Sequence, residues 1–78
     1  MDEKLKKTML KIVDQESGGV KGMHLLTDII VEGYHFEDSD DFYKVLDSVP
    51  TEIPELGVLE YYADLGEIKR VKHFIYRK

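Results

Sequence analysis

The sequence contains no cysteine and no tryptophan. Without thiols it can form no disulfide, no cysteine-based zinc site and no thiol nucleophile. A chain of 78 residues buries only about 60 % of the surface that its unfolded form exposes. Domains of this size typically have about 3–5 kcal/mol of net stability. We therefore expect one domain, residues 1–78, stabilised by a packed core or by dimerisation instead of cross-links.

Motifs for catalysis and metal binding are also missing. The three histidines, His24, His35 and His73, are too far apart in sequence to form a zinc-binding pair. No serine lies in a G-x-S-x-G elbow, and the glycine-rich segment ESGGVKG fits neither phosphate-binding fingerprint. We expect a protein that is not an enzyme and uses no cofactor, no metal and no small-molecule substrate.

Long apolar runs are absent as well. No segment approaches the roughly 20 apolar residues that a membrane helix needs. The first residues, MDEKLKKTMLKIVDQE, are charged throughout and lack the apolar segment of a signal peptide. The sequence therefore predicts a soluble, cytoplasmic protein that does not contact a membrane.

Charge is unevenly distributed along the chain. The net charge is −5, but residues 1–13 carry +2, residues 14–64 carry −11 and residues 65–78 carry +4. Two basic ends thus flank an acidic middle. Such asymmetry bears on the partners and the solubility of a protein, not on its fold.

Apolar residues recur with the 3.6-residue period of amphipathic helices in three segments. The predicted helices span residues 3–16, 23–33 and 40–49. Their expected core stripes are Leu5, Met9, Ile12 and Val13 in the first; Met23, Leu26 and Ile30, widened by Leu25 and Ile29, in the second; and Phe42, Val45, Leu46 and Val49 in the third. The apolar arc of the second helix is broad, so we expect this helix to lie centrally between the others.

Glycine, proline and capping residues predict where these helices begin and end. Gly18 or Gly19 should stop the first helix, and Gly33 the second. Either Asp38 or Ser39 should cap the third helix, and Pro50 should end it near Val49. Residues 20–22, between the first two helices, form a connector or a brief strand.

The last 21 residues, VLEYYADLGEIKRVKHFIYRK, are rich in β-branched and aromatic residues and predict two strands. The segment ADLGE resembles a type I turn closed by a bulge at Gly66. Adjacent strand residues point to opposite faces. We therefore expect Tyr61 to lie inside with Leu59, and Tyr62 to be exposed.

Three helices followed by a hairpin resemble the winged-helix fold, a branch of the helix-turn-helix class. The resemblance rests on the apolar stripe of the first helix, on the helix pair 23–33 and 40–49, and on the hairpin around Asp64–Gly66. The segment GVLEYYADLGEIKRVKHFIY looks like the strand–wing–strand end of that family. The resemblance covers nearly the whole chain through element order and spacing. It implies a small α+β fold with a two-stranded wing.

Winged-helix proteins commonly place their third helix in the DNA major groove and lay the wing along the backbone or minor groove. The outward positions of the third helix here include Asp40 and Asp47, whose carboxylates repel phosphates. Its expected contributions to DNA binding come from Tyr43 and Lys44. The wing supplies Lys69, Arg70 and Lys72 among aromatic residues, and Lys4, Lys7 and Lys11 of the first helix would extend its basic edge.

The predicted function is therefore a DNA-binding, transcription-regulating module that contacts nucleic acid through its basic wing. An alternative is a protein-interaction module whose acidic second and third helices, with Asp40, Asp41 and Asp47, bind a basic partner protein. The basic wing residues also fit a solvated hairpin edge, where lysine discourages aggregation, or contact with acidic proteins. A homodimer formed through the first helix is a further expectation.

Overall fold

Three helices and a three-stranded antiparallel sheet make up the fold in the computed structural model, which describes residues 1–78 apart from the side chain of Leu65. The elements are α1 (Glu3–Gln15), β1 (Gly19–Lys21), α2 (Gly22–Val31), α3 (Ser39–Glu52), β2 (Leu56–Leu65) and β3 (Ile68–Arg77). The strand order is β1-β3-β2. The predicted α+β class is confirmed, whereas the expected two-stranded sheet gains β1 as a third strand. None of the described helices is long and apolar enough to cross a membrane.

Helix α1 forms where the apolar period predicts it. It begins after Asp2, whose carboxylate accepts a hydrogen bond from the Lys4 backbone N–H at 2.7 Å. All four predicted stripe residues are buried, together with Thr8. The chain leaves the helix through Gly18, whose φ of +90° is accessible to glycine at little cost. The Gly18 N–H donates to the Val13 carbonyl and so closes the last turn.

Helix α2 buries a different stripe from the one predicted. Leu25 and Ile29 are fully buried, whereas Met23 is 69 % and Ile30 is 53 % exposed. The helix starts at Gly22, directly after β1. Because β1 is held in the sheet by pairing with β3, it sets the rotation at which α2 meets α1 and β3. The expected central position of this helix is therefore wrong, and one apolar face of α2 is exposed.

Helix α3 is longer than predicted. The Asp38 carboxylate caps it by accepting the Asp41 backbone N–H at 3.1 Å, and Phe42, Leu46 and Val49 are buried. Pro50 was expected to end the helix, but it lies inside it, and the helix continues to Glu52. The fixed φ of proline suits a helix, and its missing N–H affects only the last turn.

The hairpin of β2 and β3 is paired one to one from Leu56↔Arg77 to Leu65↔Ile68. The turn lies at Gly66, whose φ is +67°, but the pairing leaves a two-residue turn of Gly66 and Glu67. The expected type I turn closed by a bulge is therefore wrong. Val20, Ile75 and Val58 align across the three strands and face the helices, because Val20 and Ile75 belong to the buried core and Val58 packs against it. The alternate positions face away from the helices. We call this second surface the outer sheet face; its residues include Gly19, Lys21, Gly57, Leu59, Tyr61, Ala63, Ile68, Arg70, Lys72, Phe74 and Tyr76.

Two side chains expected in the core lie on the outer sheet face. Leu59 is 55 % exposed, and Tyr61 is half-buried, so the expectation that both lie inside is wrong. Tyr62 is 71 % exposed, as predicted. A two-residue period does not tell which face is buried. Pairing of Ile75 with both Val20 and Val58 puts the core on the other face.

Candidate nucleic-acid interface

Two aromatic rings lean across the outer sheet face over glycine residues. Gly57 lies directly opposite Tyr76 in the register, and a Cβ atom at position 57 would overlap the distal end of the Tyr76 ring. A Cβ at Gly19 would likewise overlap the ring of Phe74. The absent glycine side chains therefore allow these two rings to lie along the sheet. Tyr76 remains 37 % exposed.

Three exposed cations share this face with the rings. Lys21 pairs in register with Phe74, Lys72 lies opposite Tyr61, and Arg70 lies opposite Ala63. No carboxylate occupies any of the described strand positions on the outer sheet face. All charged side chains at the described strand positions of this face are therefore basic, and Arg70 also borders a groove that Asp47 and Glu60 line.

The helix side of the hairpin has mixed charge. Its register pairs Asp64 with Lys69 and Glu60 with His73. The opposite charges of Asp64 and Lys69, directly across the two strands, attract and partly cancel. The three predicted wing cations are thus divided by the pleat, because Arg70 and Lys72 lie on the outer sheet face and Lys69 lies on the other side. Alternation along a strand predicts this division once strand β3 is assigned.

Helix α3 meets the hairpin through Tyr43. The ring centroids of Tyr43 and His73 are 5.5 Å apart. Beside them is a small apolar cleft of about 90 Å³, which Lys21, Tyr61 and Lys72 also line. Strand β1 pairs only with residues 74–76 of β3, so the cleft lies where that edge of β3 becomes unpaired. The structure thus brings predicted residues Tyr43 and Lys72 together.

Two carboxylates of α3 share the helix face that carries Tyr43. Asp40, Tyr43, Lys44 and Asp47 follow the spacing of a single helix face. Asp47 lines a shallow groove together with Glu60 and Arg70, whereas Asp41 is half-buried in the first turn. A phosphate backbone that approached α3 would meet Asp40 and Asp47, with Lys44 as the cation of that helix face.

The lysines of α1 form a surface of their own. Lys4, Lys7 and Lys11 line a shallow groove with Thr8, and no wing residue is among its described lining. The Lys11 ammonium lies 2.8 Å from the Glu32 carboxylate, which reduces its availability for phosphate. A two-fold dimer through this face would place lysines near lysines. The expected α1 homodimer stays a prediction. A joint basic edge of α1 and the wing also stays a prediction, and the α1 lysines are left out of the contact proposed below because no described wing residue lines their groove.

One cluster of polar residues was not predicted from the sequence. The imidazole Nε2 of His24 lies 3.2 Å from an Asp28 oxygen and 3.5 Å from a Glu16 oxygen. The spacing of His24 and Asp28 by four residues was a signal in the sequence, whereas Glu16 arrives only because α1 and α2 pack together. The three groups offer convergent ligand atoms. The spacing of His24 and Asp28 on one helix face and the packing of α1 against α2 explain their proximity.

Ionic contacts near the N-terminus shift several pKa values. The Lys6 ammonium and the N-terminal amine lower the pKa of Glu52 from its ordinary value. The Tyr34 hydroxyl donates a hydrogen bond to Asp2 and, with the Lys4 backbone N–H, lowers the pKa of that carboxyl. These contacts join α1 to the end of α3 and to Tyr34. They concern stability and lie apart from the outer sheet face.

No protein-family model, no curated protein and no solved structure matches this chain. The function of the protein is therefore inferred from the geometry and charge of its surfaces.

Proposed function

We propose that the protein is a non-enzymatic nucleic-acid-binding module of the winged-helix type that contacts its ligand through the β2–β3 hairpin. The element order supports this proposal, since a pair of helices precedes a long C-terminal hairpin. The observation that carries it is the outer sheet face, where Lys21, Arg70 and Lys72 are exposed without a neighbouring carboxylate on that face. A DNA-binding, transcription-regulating role is the biological function that we propose for it.

In the proposed contact, the hairpin makes the main contacts with nucleic acid, and α3 does not. Affinity for nucleic acids comes mainly from neutralising phosphates. Helix α3 presents Asp40 and Asp47 on the same face as Lys44, so its field opposes phosphate binding. The outer sheet face has the opposite field. Tyr43 reaches the hairpin at His73 and contributes aromatic surface at the cleft.

Binding of labelled duplex and single-stranded DNA, followed by fluorescence anisotropy at about 50 mM salt, tests the proposal. We expect Arg70→Glu/Lys72→Glu to weaken binding about tenfold or more. The matched control is Lys4→Glu/Lys7→Glu, which changes charge equally on exposed positions of α1. We expect a smaller effect there. Absence of binding to any DNA at tens of micromolar protein, or equal loss in both variants, would refute the proposal.

A second candidate function is the capture of a basic protein. Asp40 and Asp47 are both exposed on one face of α3, and complementary charge steers protein association. Asp40→Lys/Asp47→Lys should then abolish binding of a defined lysine-rich peptide. If the reversed variant binds the peptide as the wild type does, this function is excluded.

A further inference from the structure

We propose that the outer sheet face is a platform for single-stranded nucleic acid, with bases stacked on its aromatic rings and phosphates held by its cations. This inference rests on the proposed function and specifies its ligand class. The rings are those of Tyr61, Phe74 and Tyr76, and the cations are Lys21, Arg70 and Lys72.

The register places the rings in consecutive rows. Tyr76 and Phe74 are same-face neighbours on β3, and the next row pairs Lys72 with Tyr61 on β2. Same-face neighbours on a strand are about 6.7 Å apart, so the three rows extend over about 13 Å. The rings are thus arranged along the sheet, so that successive bases of one strand can meet successive rings.

The glycines beneath the rings favour stacking. Because positions 19 and 57 have no side chain, the rings of Phe74 and Tyr76 lean over the backbone. A ring that lies along the sheet presents its broad face to a ligand. A ring that projected from the sheet would instead be suited to insertion into a groove. Covering a strand glycine with an aromatic ring also stabilises a sheet. Packing alone, however, does not explain why this face holds three cations and no carboxylate.

A paired duplex can use the cations of such a surface but not its ring faces. Its bases are already stacked on each other, and a protein reaches only their edges in the grooves. A single strand exposes the base faces, and stacking on aromatic side chains works with every base. Each stacked base contributes about 5- to 140-fold in affinity. The ligand that matches both the rings and the cations is therefore an unpaired strand.

The cations suggest the course of the phosphates. Lys21 lies beside Phe74, while Lys72 and Arg70 continue along β3 towards the tip of the hairpin. The carboxylates Glu60 and Asp64 point to the other side of the pleat. A backbone that follows β3 on the outer sheet face thus passes the three cations, of which Arg70 also borders the groove lined by Asp47 and Glu60. An acidic peptide would satisfy the cations, but it would not need the ring faces.

The test compares a labelled oligothymidine of about 12 nucleotides with a duplex of the same length by fluorescence anisotropy. We expect the single strand to bind at least about tenfold more tightly. Tyr61→Leu should weaken single-strand binding by about 5- to 140-fold, whereas Tyr61→Phe, which keeps the ring, should stay near wild type. Tyr62→Leu is the matched control, since Tyr62 is the exposed neighbour on the opposite face.

Tyr61 is chosen because its ring is not the one that covers Gly57 or Gly19. Circular dichroism melts of both leucine variants confirm that they fold. Equal binding of duplex and single strand, or equal losses in Tyr61→Leu and Tyr62→Leu, would overturn this inference and leave the proposed function standing. Binding of a glutamate-rich peptide as tightly as the single strand would likewise overturn the inference that the outer sheet face selects single-stranded nucleic acid. Failure of every oligonucleotide to bind would instead refute the proposed function itself.

Discussion

Replacing Arg70 and Lys72 with glutamine should flatten the salt dependence of nucleic-acid binding. The outer sheet face holds three exposed cations, and the variant retains only Lys21. For single strands, each neutralised phosphate contributes about −0.7 to the slope of log K against log salt concentration. The expected slope is about −2 for the wild type and about −0.7 for the variant. Between about 50 and 200 mM salt, affinity should therefore fall about 20-fold and about threefold, respectively.

The slope is measured by anisotropy titrations of one labelled single strand at several salt concentrations in that range. A slope separates phosphate contacts from stacking, because stacking of uncharged bases releases few counterions. The matched control, Lys4→Gln/Lys7→Gln, removes the same charge from α1, and its slope should remain close to that of the wild type. An unchanged slope in the hairpin variant, or an equal change in the control, would refute the assignment of these cations to phosphates.

Three further predictions concern stability. Lys6 and the N-terminal amine hold the pKa of Glu52 below its ordinary 4.5. The ionised Glu52 carboxylate therefore stabilises the fold above about pH 4.5. This stabilisation is lost as the pH falls through the lowered pKa of Glu52. Glu52→Gln should therefore flatten thermal stability between about pH 6 and pH 3, and an unchanged profile would contradict this. Gly57→Ala should cost about 1–3 kcal/mol in urea unfolding, since its Cβ would overlap the Tyr76 ring. The double variant Gly57→Ala/Tyr76→Ala should lose less unfolding free energy than the two single variants lose together. Losses that add up fully would argue against an overlap between the new Cβ and the Tyr76 ring. Leu46 is 1 % exposed, and Leu46→Ala leaves a cavity at this core position. The variant should lose about 2–5 kcal/mol of unfolding free energy. Because a domain of this size has little stability to spare, circular dichroism should show much of the variant unfolded. A melt close to that of the wild type would show that the core does not depend on this residue.

Part of the candidate site could be predicted from the sequence. The basic and aromatic composition of the last strand pointed to Arg70, Lys72 and their neighbours as residues for nucleic-acid contact. Alternation along β3 already separates Lys69 from Arg70 and Lys72, but the sequence could not tell which of these two sides the helices cover. The cleft beside Tyr43 and His73 also required the fold, because residues distant in the sequence, from Lys21 to His73, line it together.

The sequence by itself determined what short-range spacing controls. The stripes of α1 and α3, the start of α3 at Asp38 or Ser39 and the position of the hairpin turn at Gly66 depend on residues a few positions apart, so local periodicity and capping chemistry suffice to predict them. The choice of Asp38 as the cap and the type of the turn came from the structure. Only the tertiary structure decided which face of α2 and which face of the sheet are buried. Both elements have apolar residues on two sides, and long-range pairing of β1 with β3 settled the choice. Ile30 and Leu59 lie on the uncovered sides, and the pairing of β3 with both β1 and β2 places the rings and cations together on the outer sheet face.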